Sequence, residues 1–156
     1  MFGSILRSLR GQPKPPAIDQ LQAALVKAVA ADVSDLHDGE WEDRDWLRIG
    51  VNLELLIDGG QRISNQAIVI AQKPGGSLEK LSFRLRLANK EKFVELAQAM
   101  GKGNKERWTI CDLQIERDGR FAFSFGYGPP PRLGGDLLHT PLSDMLERYR
   151  AETGAT

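Results

Sequence analysis

The stretch from residue 106 to residue 127 constrains the fold more strongly than any other part of the sequence. Two strand-like runs meet there at an Asp118-Gly119 turn signal. Aromatic residues occupy alternate positions of the second run, so their rings share one face of the predicted strand. These residues are Phe121, Phe123, Phe125 and Tyr127. Such a face is stable only when it is buried, and the hairpin is therefore predicted to form one wall of a hydrophobic core.

The register of this hairpin follows from the same side chains. A two-residue loop at Asp118-Gly119 would place the phenylalanines beside carboxylates on one face. A three-residue loop, 117–119, shifts the pairing by one residue, which moves every side chain to the other face. Ile115, Leu113 and Cys111 then pair with Phe121, Phe123 and Phe125, and Glu116 pairs with Arg120. Burial selects this longer loop, with Gly119 in the left-handed conformation of a type I turn with a bulge.

Length and charge limit the remaining possibilities. A chain of 156 residues is expected to form one domain. Its 21 basic and 21 acidic residues balance, which argues against direct binding of nucleic acid or of an anionic membrane surface. No apolar run approaches the ~18 residues of a membrane span. The first ten residues also lack the features of a signal peptide, so a cytoplasmic location is expected.

The pattern along the chain predicts one α+β domain. Residues 1–16 are interpreted as an N-terminal extension with a proline-rich linker, and residues 17–152 as the domain. The predicted order is α-β-β-β-α-β-β-α, which favours an antiparallel sheet of about five strands with helices packed on one face. The predicted helices span 17–31, 90–100 and a last segment that Thr140 caps with Pro141 at its first position; the strands span 47–57, 62–72, 81–87 and the two arms of the hairpin.

Motifs for catalysis, cofactors or metals are not found in the sequence. His37 has carboxylates nearby but no second His or Cys at ligand spacing, and His139 precedes a predicted helix cap. Cys111, the single cysteine, lies among apolar residues of a strand and is predicted to be a buried, inert thiol. No catalytic, cofactor-binding or metal-binding residue is therefore predicted, and the chain is not expected to be an enzyme.

The acidic segment between the first helix and the first strand is the best surface candidate. Carboxylates beside tryptophans would combine long-range attraction of a basic partner with large contact anchors. The candidate partner-binding residues are Asp35, Asp38, Glu40, Trp41, Glu42, Asp43 and Asp45. The alternative interpretation is a solvated loop whose tryptophans, Trp41 and Trp46, turn inward onto the first strand. Both interpretations stay open at this stage.

The hairpin also carries a family resemblance. A Trp, a strand, an acidic-Gly turn and an aromatic strand that ends in Tyr resemble the C-terminal part of the YezG-like bacterial immunity proteins. The matching positions are Trp108, Leu113, Ile115, Gly119, Phe121, Phe125 and Tyr127. The resemblance implies an antitoxin that binds a cognate toxin and occludes its active site. The toxin is expected to be basic, for example a nuclease, and the antitoxin a monomer or weak dimer.

The element order supports a second interpretation. It is also similar to that of the small chaperones of type III secretion, which are usually dimeric and present apolar grooves to an extended effector segment. Those chaperones are typically acidic, whereas the formal net charge here is +0. One-to-one binding of a folded toxin domain would favour the immunity protein, and binding of an unfolded effector segment would favour the chaperone.

Overall fold

The computed structural model describes residues 17–102 and 106–156. The predicted N-terminal extension and linker, residues 1–16, lie outside the described residues. The α+β class and the predicted order of elements are confirmed. The elements are α1 (Ile18–Ala31), β1 (Asp45–Leu56), β2 (Arg62–Gln72), β3 (Glu79–Ser82), α2 (Leu87–Met100), β4 (Ile110–Glu116), β5 (Phe121–Gly126) and α3 (Met145–Thr153).

The five strands form one antiparallel sheet in the order β3-β2-β1-β4-β5. The central strand β1 is buried without interruption from Arg48 to Leu55. From Arg48 to Leu55 its odd-numbered residues are apolar and its even-numbered residues are polar or glycine, so the two faces of the sheet differ in chemistry. We call the face that carries Ile49 the first face, and the face that carries Arg48 the second face.

The main hydrophobic core lies between the first face and the helices α1 and α2. Leu25 and Val29 of α1 and Phe93 and Leu96 of α2 are almost completely buried there. The strands contribute Ile49, Val51, Leu53, Leu55, Ala67, Val69, Ala71, Cys111, Leu113 and Ile115. Apolar residues at helical spacing on α1 and at a period of two on β1 account for this side of the molecule.

The third helix lies on the second face, whereas the sequence predicted helices on one face only. Leu142 and Met145 pack with Ile70 of β2, which points away from the main core. Gly50 of β1 makes this close approach possible, because a Cβ atom at that position would lie 2.8 Å from the Met145 sulfur atom. The apolar side chains of β2 on the second face need a cover, and the C-terminal segment provides it.

Arg48 links α3 to the sheet. The Arg48 guanidinium lies 3.0 Å from the Glu116 carboxylate and 2.8 Å from the Glu152 carboxylate. It also stacks over the Tyr149 ring, 4.9 Å from the ring centroid. Arg48 is therefore paired with β4 and with α3 at once.

The predicted hairpin register is confirmed. Ile115, Leu113 and Cys111 pair with Phe121, Phe123 and Phe125. The Glu116 amide donates to the Arg120 carbonyl at 2.8 Å, which closes a loop of residues 117–119. Gly119 has a φ of 94°, the left-handed conformation that the three-residue loop requires.

Two predicted boundaries were wrong. The third strand ends at Ser82 instead of continuing to residue 87, and α2 begins at Leu87 instead of residue 90. The reason is the buried Asp32 carboxylate, which accepts hydrogen bonds from the Arg86 amide at 2.9 Å and from the Asn89 side chain at 2.6 Å. Asn89 is thus a residue of α2 that binds α1, and the N-cap position is Arg86.

The last helix also begins later than predicted. Residues 141–144 form turns, the Ser143 amide donates to the Thr140 carbonyl at 3.2 Å, and α3 starts at Met145. This turn region packs on the second face, since Leu142 is buried there beside Met145. Among the described helices, none is long and apolar enough to cross a membrane.

Candidate functional site

The acidic segment lies between α1 and β1, and all six of its predicted partner-binding carboxylates are exposed. Three of them form intramolecular ion pairs. Asp35 pairs with Arg84 at 2.9 Å, Asp45 pairs with Arg117 at 3.3 Å, and Glu42 pairs with Lys73. Within the described part of the chain, Asp38, Glu40 and Asp43 make no ion pair. We call residues 38–43 the acidic loop.

Arg44 fixes the shape of the acidic loop. One of its terminal nitrogens donates to the Glu40 carbonyl at 2.7 Å and to the Trp41 carbonyl at 3.2 Å. Its other two nitrogens bind the Glu79 carboxylate in a two-point pair at 2.9 and 3.0 Å. This geometry is the strong form of an arginine–carboxylate contact. The loop is therefore fastened to β3, at the far side of the sheet from β5.

Glu42 is held in an uncommon backbone conformation. It has a φ of 55°, and it is the one non-glycine residue with positive φ in residues 17–102 and 106–156. The hydrogen bond from Lys73, together with the charges of Lys73 and Arg44, lowers the pKa of the Glu42 carboxyl. Such a conformation persists when its surroundings fix it, so the contacts of Arg44 and Lys73 hold the backbone of the acidic loop at Glu42.

The two tryptophans turn inward, as in the second of the two interpretations that the sequence left open. Trp41 and Trp46 are partly buried, and both pack against the main core. The Arg117 guanidinium covers Trp46 at 5.3 Å from the ring centroid. Trp41 is therefore a core residue on one side, and only the remaining part of its ring is available to a partner.

Sequence reasoning missed the residues that organise the loop. Arg44 was visible as the one basic residue inside the acidic segment, which was a usable signal for a central ion pair. Its partner Glu79 lies 35 residues further along the chain, and Lys73 lies in the turn after β2. No local pattern connects such distant positions.

The second face carries a buried ion pair, and buried charged groups of this kind are common in active sites. Glu54 and Arg132 lie 3.5 Å apart, and the Glu54 side chain is completely buried. The two Glu54 oxygens accept hydrogen bonds from the backbone amides of Arg132, at 3.1 Å, and Leu133, at 2.9 Å. The carboxylate thus serves to hold the backbone of residues 132–133 on the sheet.

The Arg132 guanidinium also has hydrogen-bond partners within the protein. It donates to the Asn52 side chain at 2.7 Å and to the Ser64 hydroxyl at 2.8 Å. Burial lowers the pKa of this guanidinium, and the nearby charges of Glu54 and Asp112 oppose that change. Asn52 continues the network by donating to Asp112 at 2.8 Å. We interpret the network as structural, because its groups bind one another across the sheet.

The other chemically notable positions point to no ligand class. Burial raises the pKa of the Cys111 thiol well above its usual range, which keeps it protonated. In the described ranges, no group of three or more His, Cys, Asp or Glu residues is placed to hold a metal ion. A cleft of about 670 Å³ beside α3 is lined by Arg48, Arg120, Glu116 and Glu152 among others, so its charges balance.

Comparison with known protein families finds no family model that matches this chain, and comparison with curated proteins finds no significant match. The YezG-like resemblance therefore stays a prediction.

Acidification tests the ion pair that holds the loop. Hydrogen bonds from Arg44 lower the pKa of Glu79 in the folded protein. In the unfolded chain Glu79 is protonated near its ordinary pKa of about 4.3, so the pair stabilises the fold above that pH. This contribution is lost as the pH falls through the lower folded value. We expect Glu79→Gln to show a smaller loss of stability than the native protein when urea unfolding is compared at neutral and acidic pH.

Arg44→Met serves as the companion variant. It removes the main cause of the lowered pKa and leaves the Glu79 carboxyl in place, so it should reduce the acid-dependent loss of stability as Glu79→Gln does. A native-like pH dependence in both variants would show that the Arg44–Glu79 pair is not linked to folding.

Proposed function

We propose that this protein is an immunity protein, an antitoxin that binds a cognate bacterial toxin domain in the cytoplasm and occludes its active site. The observation that carries the proposal is the fixed acidic loop, in which Asp38, Glu40 and Asp43 face solvent without an intramolecular ion pair in the described residues. The resemblance of the hairpin to the YezG-like proteins supplies the functional class. The loop supplies a surface whose chemistry suits a basic partner.

The rigidity of the loop supports a binding role. A flexible loop loses conformational freedom on association, and that loss weakens binding. Arg44 and Lys73 already hold the acidic loop in the unbound protein. The backbone that carries the free carboxylates is thus held before a partner arrives, while their charge attracts a basic surface over a distance of about one Debye length.

The acidic loop alone is too small for a complete interface. A stable protein complex buries about 800 Å² on each partner, which corresponds to roughly 20–30 residues. The contact would therefore extend beyond residues 38–43. Glu79 beside the loop and the ion-paired Asp35 and Asp45 are candidates to join it. In this proposal the protein blocks the toxin sterically and contributes no catalytic group.

Co-expression tests the function directly. A gene for a large toxin-bearing protein should lie next to the gene for this chain, and expression of its toxic domain alone should stop bacterial growth. Co-expression of this protein should restore growth, and the two proteins should purify as a one-to-one complex. Failure to restore growth, with both proteins present and soluble, would contradict the proposal.

Charge reversal tests the surface. We expect the triple variant Asp38→Lys, Glu40→Lys, Asp43→Lys to slow association with the toxin domain by about tenfold or more at low salt, because electrostatic steering acts on the association rate. The deficit should shrink as salt is added. Stopped-flow or surface plasmon resonance measurements over a salt series would check both points.

A matched control separates local from global charge. The variant Glu95→Lys, Glu106→Lys, Asp136→Lys changes the net charge by the same amount at exposed positions outside the acidic loop. It should slow association much less. Equal effects of the two triple variants would contradict a contact at the acidic loop and leave the proposed function to the co-expression test.

The chaperone alternative predicts a different complex. A secretion chaperone would bind an extended segment of its partner and would not restore growth against a folded toxin domain. Isothermal titration with the folded toxin domain and with its isolated peptide segments would distinguish the two functions, since each predicts binding in one arm only.

A further inference from the structure

The strand β5 has an open outer edge. Even-numbered residues of β5 exchange hydrogen bonds with β4, as the bond from the Glu116 amide to the Arg120 carbonyl indicates. The backbone groups of Phe121, Phe123 and Phe125 therefore point away from the sheet. In the part of the chain that the structure describes, no residue pairs with them.

This edge lacks the features that usually prevent strand pairing. Natural edge strands are short, charged, bulged or interrupted by proline. The other edge, β3, follows that rule, because it has four residues and carries Glu79 and Lys80. By contrast, β5 has six residues, FAFSFG, without a charge or a proline. Phe121 at its start remains 42% exposed.

The sequence of β5 is self-complementary about Phe123. In an antiparallel pair of two β5 strands centred there, Phe123 lies opposite its own copy and Phe121 lies opposite Phe125. These are the residues whose backbone groups point outward, so each would gain its missing hydrogen bonds. Aromatic side chains would also meet across the strands on the first face, which is a favourable cross-strand pairing.

We propose that β5 pairs in this antiparallel manner with β5 of a second copy, and that the protein forms a homodimer with a sheet continuous through both copies. Charge as well as symmetry favours a second copy of the chain as the partner of β5. Residues 121–128 carry no charge, so a second copy brings no like charges into opposition. The chain as a whole has a formal net charge of +0, which adds no repulsion between copies. The inference does not rest on the proposed toxin partner.

The second face of the pair offers a specific test. Ala122 of one copy lies opposite Ser124 of the other in the proposed register, and both side chains are exposed in the single chain. The variant Ala122→Lys, Ser124→Lys would place lysines opposite lysines twice in each dimer. We expect the dimer to dissociate about tenfold more readily, because like charges directly opposite each other destabilise strand pairing.

The matched control is Ala122→Lys, Ser124→Glu. It changes the same two positions with side chains of similar length, but each lysine then faces a glutamate of the other copy. This variant should dimerise at least as tightly as the native protein. Sedimentation velocity of the full chain, from micromolar to near-millimolar concentration, gives the dissociation constants, and the urea midpoint of each variant confirms that it is folded.

Hydrogen exchange locates the contact independently of the variants. The amides of Phe121, Phe123 and Phe125 should exchange more slowly in the dimer than at concentrations where the monomer dominates. A native protein that stays monomeric throughout the concentration range would overturn the proposal. So would a dimer that the lysine–lysine and lysine–glutamate variants weaken equally, or one in which these three amides keep their monomer exchange rates.

Discussion

Replacing Arg132 by Met should lower the free energy of unfolding by about 3–5 kcal/mol, since it leaves a buried carboxylate without its charged partner. The Glu54 side chain is completely buried and lies 3.5 Å from the Arg132 guanidinium. The same substitution removes the hydrogen bonds to Asn52 and Ser64, at 2.7 and 2.8 Å. Urea unfolding followed by circular dichroism would measure the loss.

Two companion variants define its origin. Glu54→Gln combined with Arg132→Met removes both charges and should recover part of the lost stability. Arg148→Met removes a more exposed arginine that pairs at 3.1 Å with Asp144, the residue before α3, and it should cost less than about 1 kcal/mol. Equal losses for Arg132→Met and Arg148→Met would contradict the buried network.

Replacing Trp108 by Ala should cost about 3–5 kcal/mol of stability, because truncating a large buried ring leaves a cavity. Trp108 is 1% exposed and stacks against Phe125 at a centroid distance of 5.7 Å. It thereby joins the segment before β4 to the aromatic strand. Chemical denaturation with tryptophan-independent detection, such as far-UV circular dichroism, would measure the change.

Two further variants serve as controls for Trp108. Trp108→Phe keeps a ring against Phe125 and should cost clearly less than Trp108→Ala. Phe121→Ala removes a ring that is 42% exposed, so its cost should also be smaller. If Trp108→Ala were as mild as Phe121→Ala, the ring would not contribute to the core as its burial indicates.

The hairpin was predictable because its information is local. Alternation with a period of two fixed which side chains share a face, and burial then selected the loop of residues 117–119. The structure agrees with that register, including the left-handed Gly119. The order of the elements was predictable for the same reason, since each strand and helix carries its own periodicity.

The second face was not predictable by the same means. Polar positions at Asn52 and Glu54 indicate solvent when β1 is considered alone. They are buried because Arg132, about eighty residues further along the chain, satisfies them. An alternation pattern reports chemistry, but it does not report which distant segment will cover a face.

The candidate site was likewise predictable in its local features and unpredictable in its long-range contacts. The negative charge of the acidic segment and its two tryptophans were visible in the sequence. Its subdivision into paired and unpaired carboxylates was not, because Arg84, Lys73 and Arg117 come from other parts of the fold. The structure thus narrows the predicted set to Asp38, Glu40 and Asp43 as the carboxylates without an ion pair in the described residues.

The polar second face of β1 has a consequence during synthesis on the ribosome. Glu54 is synthesised 78 residues before Arg132, so β1 is made well before the segment that covers its second face. Translation at roughly 5–20 residues per second makes this interval several seconds. Because β1 then exposes Arg48, Asn52 and Glu54 rather than a second apolar row, the unfinished chain keeps a hydrated surface at its centre. We expect the residues that later anchor the C-terminal segment to keep this part of β1 hydrated, and so less prone to aggregation, until that segment has been made.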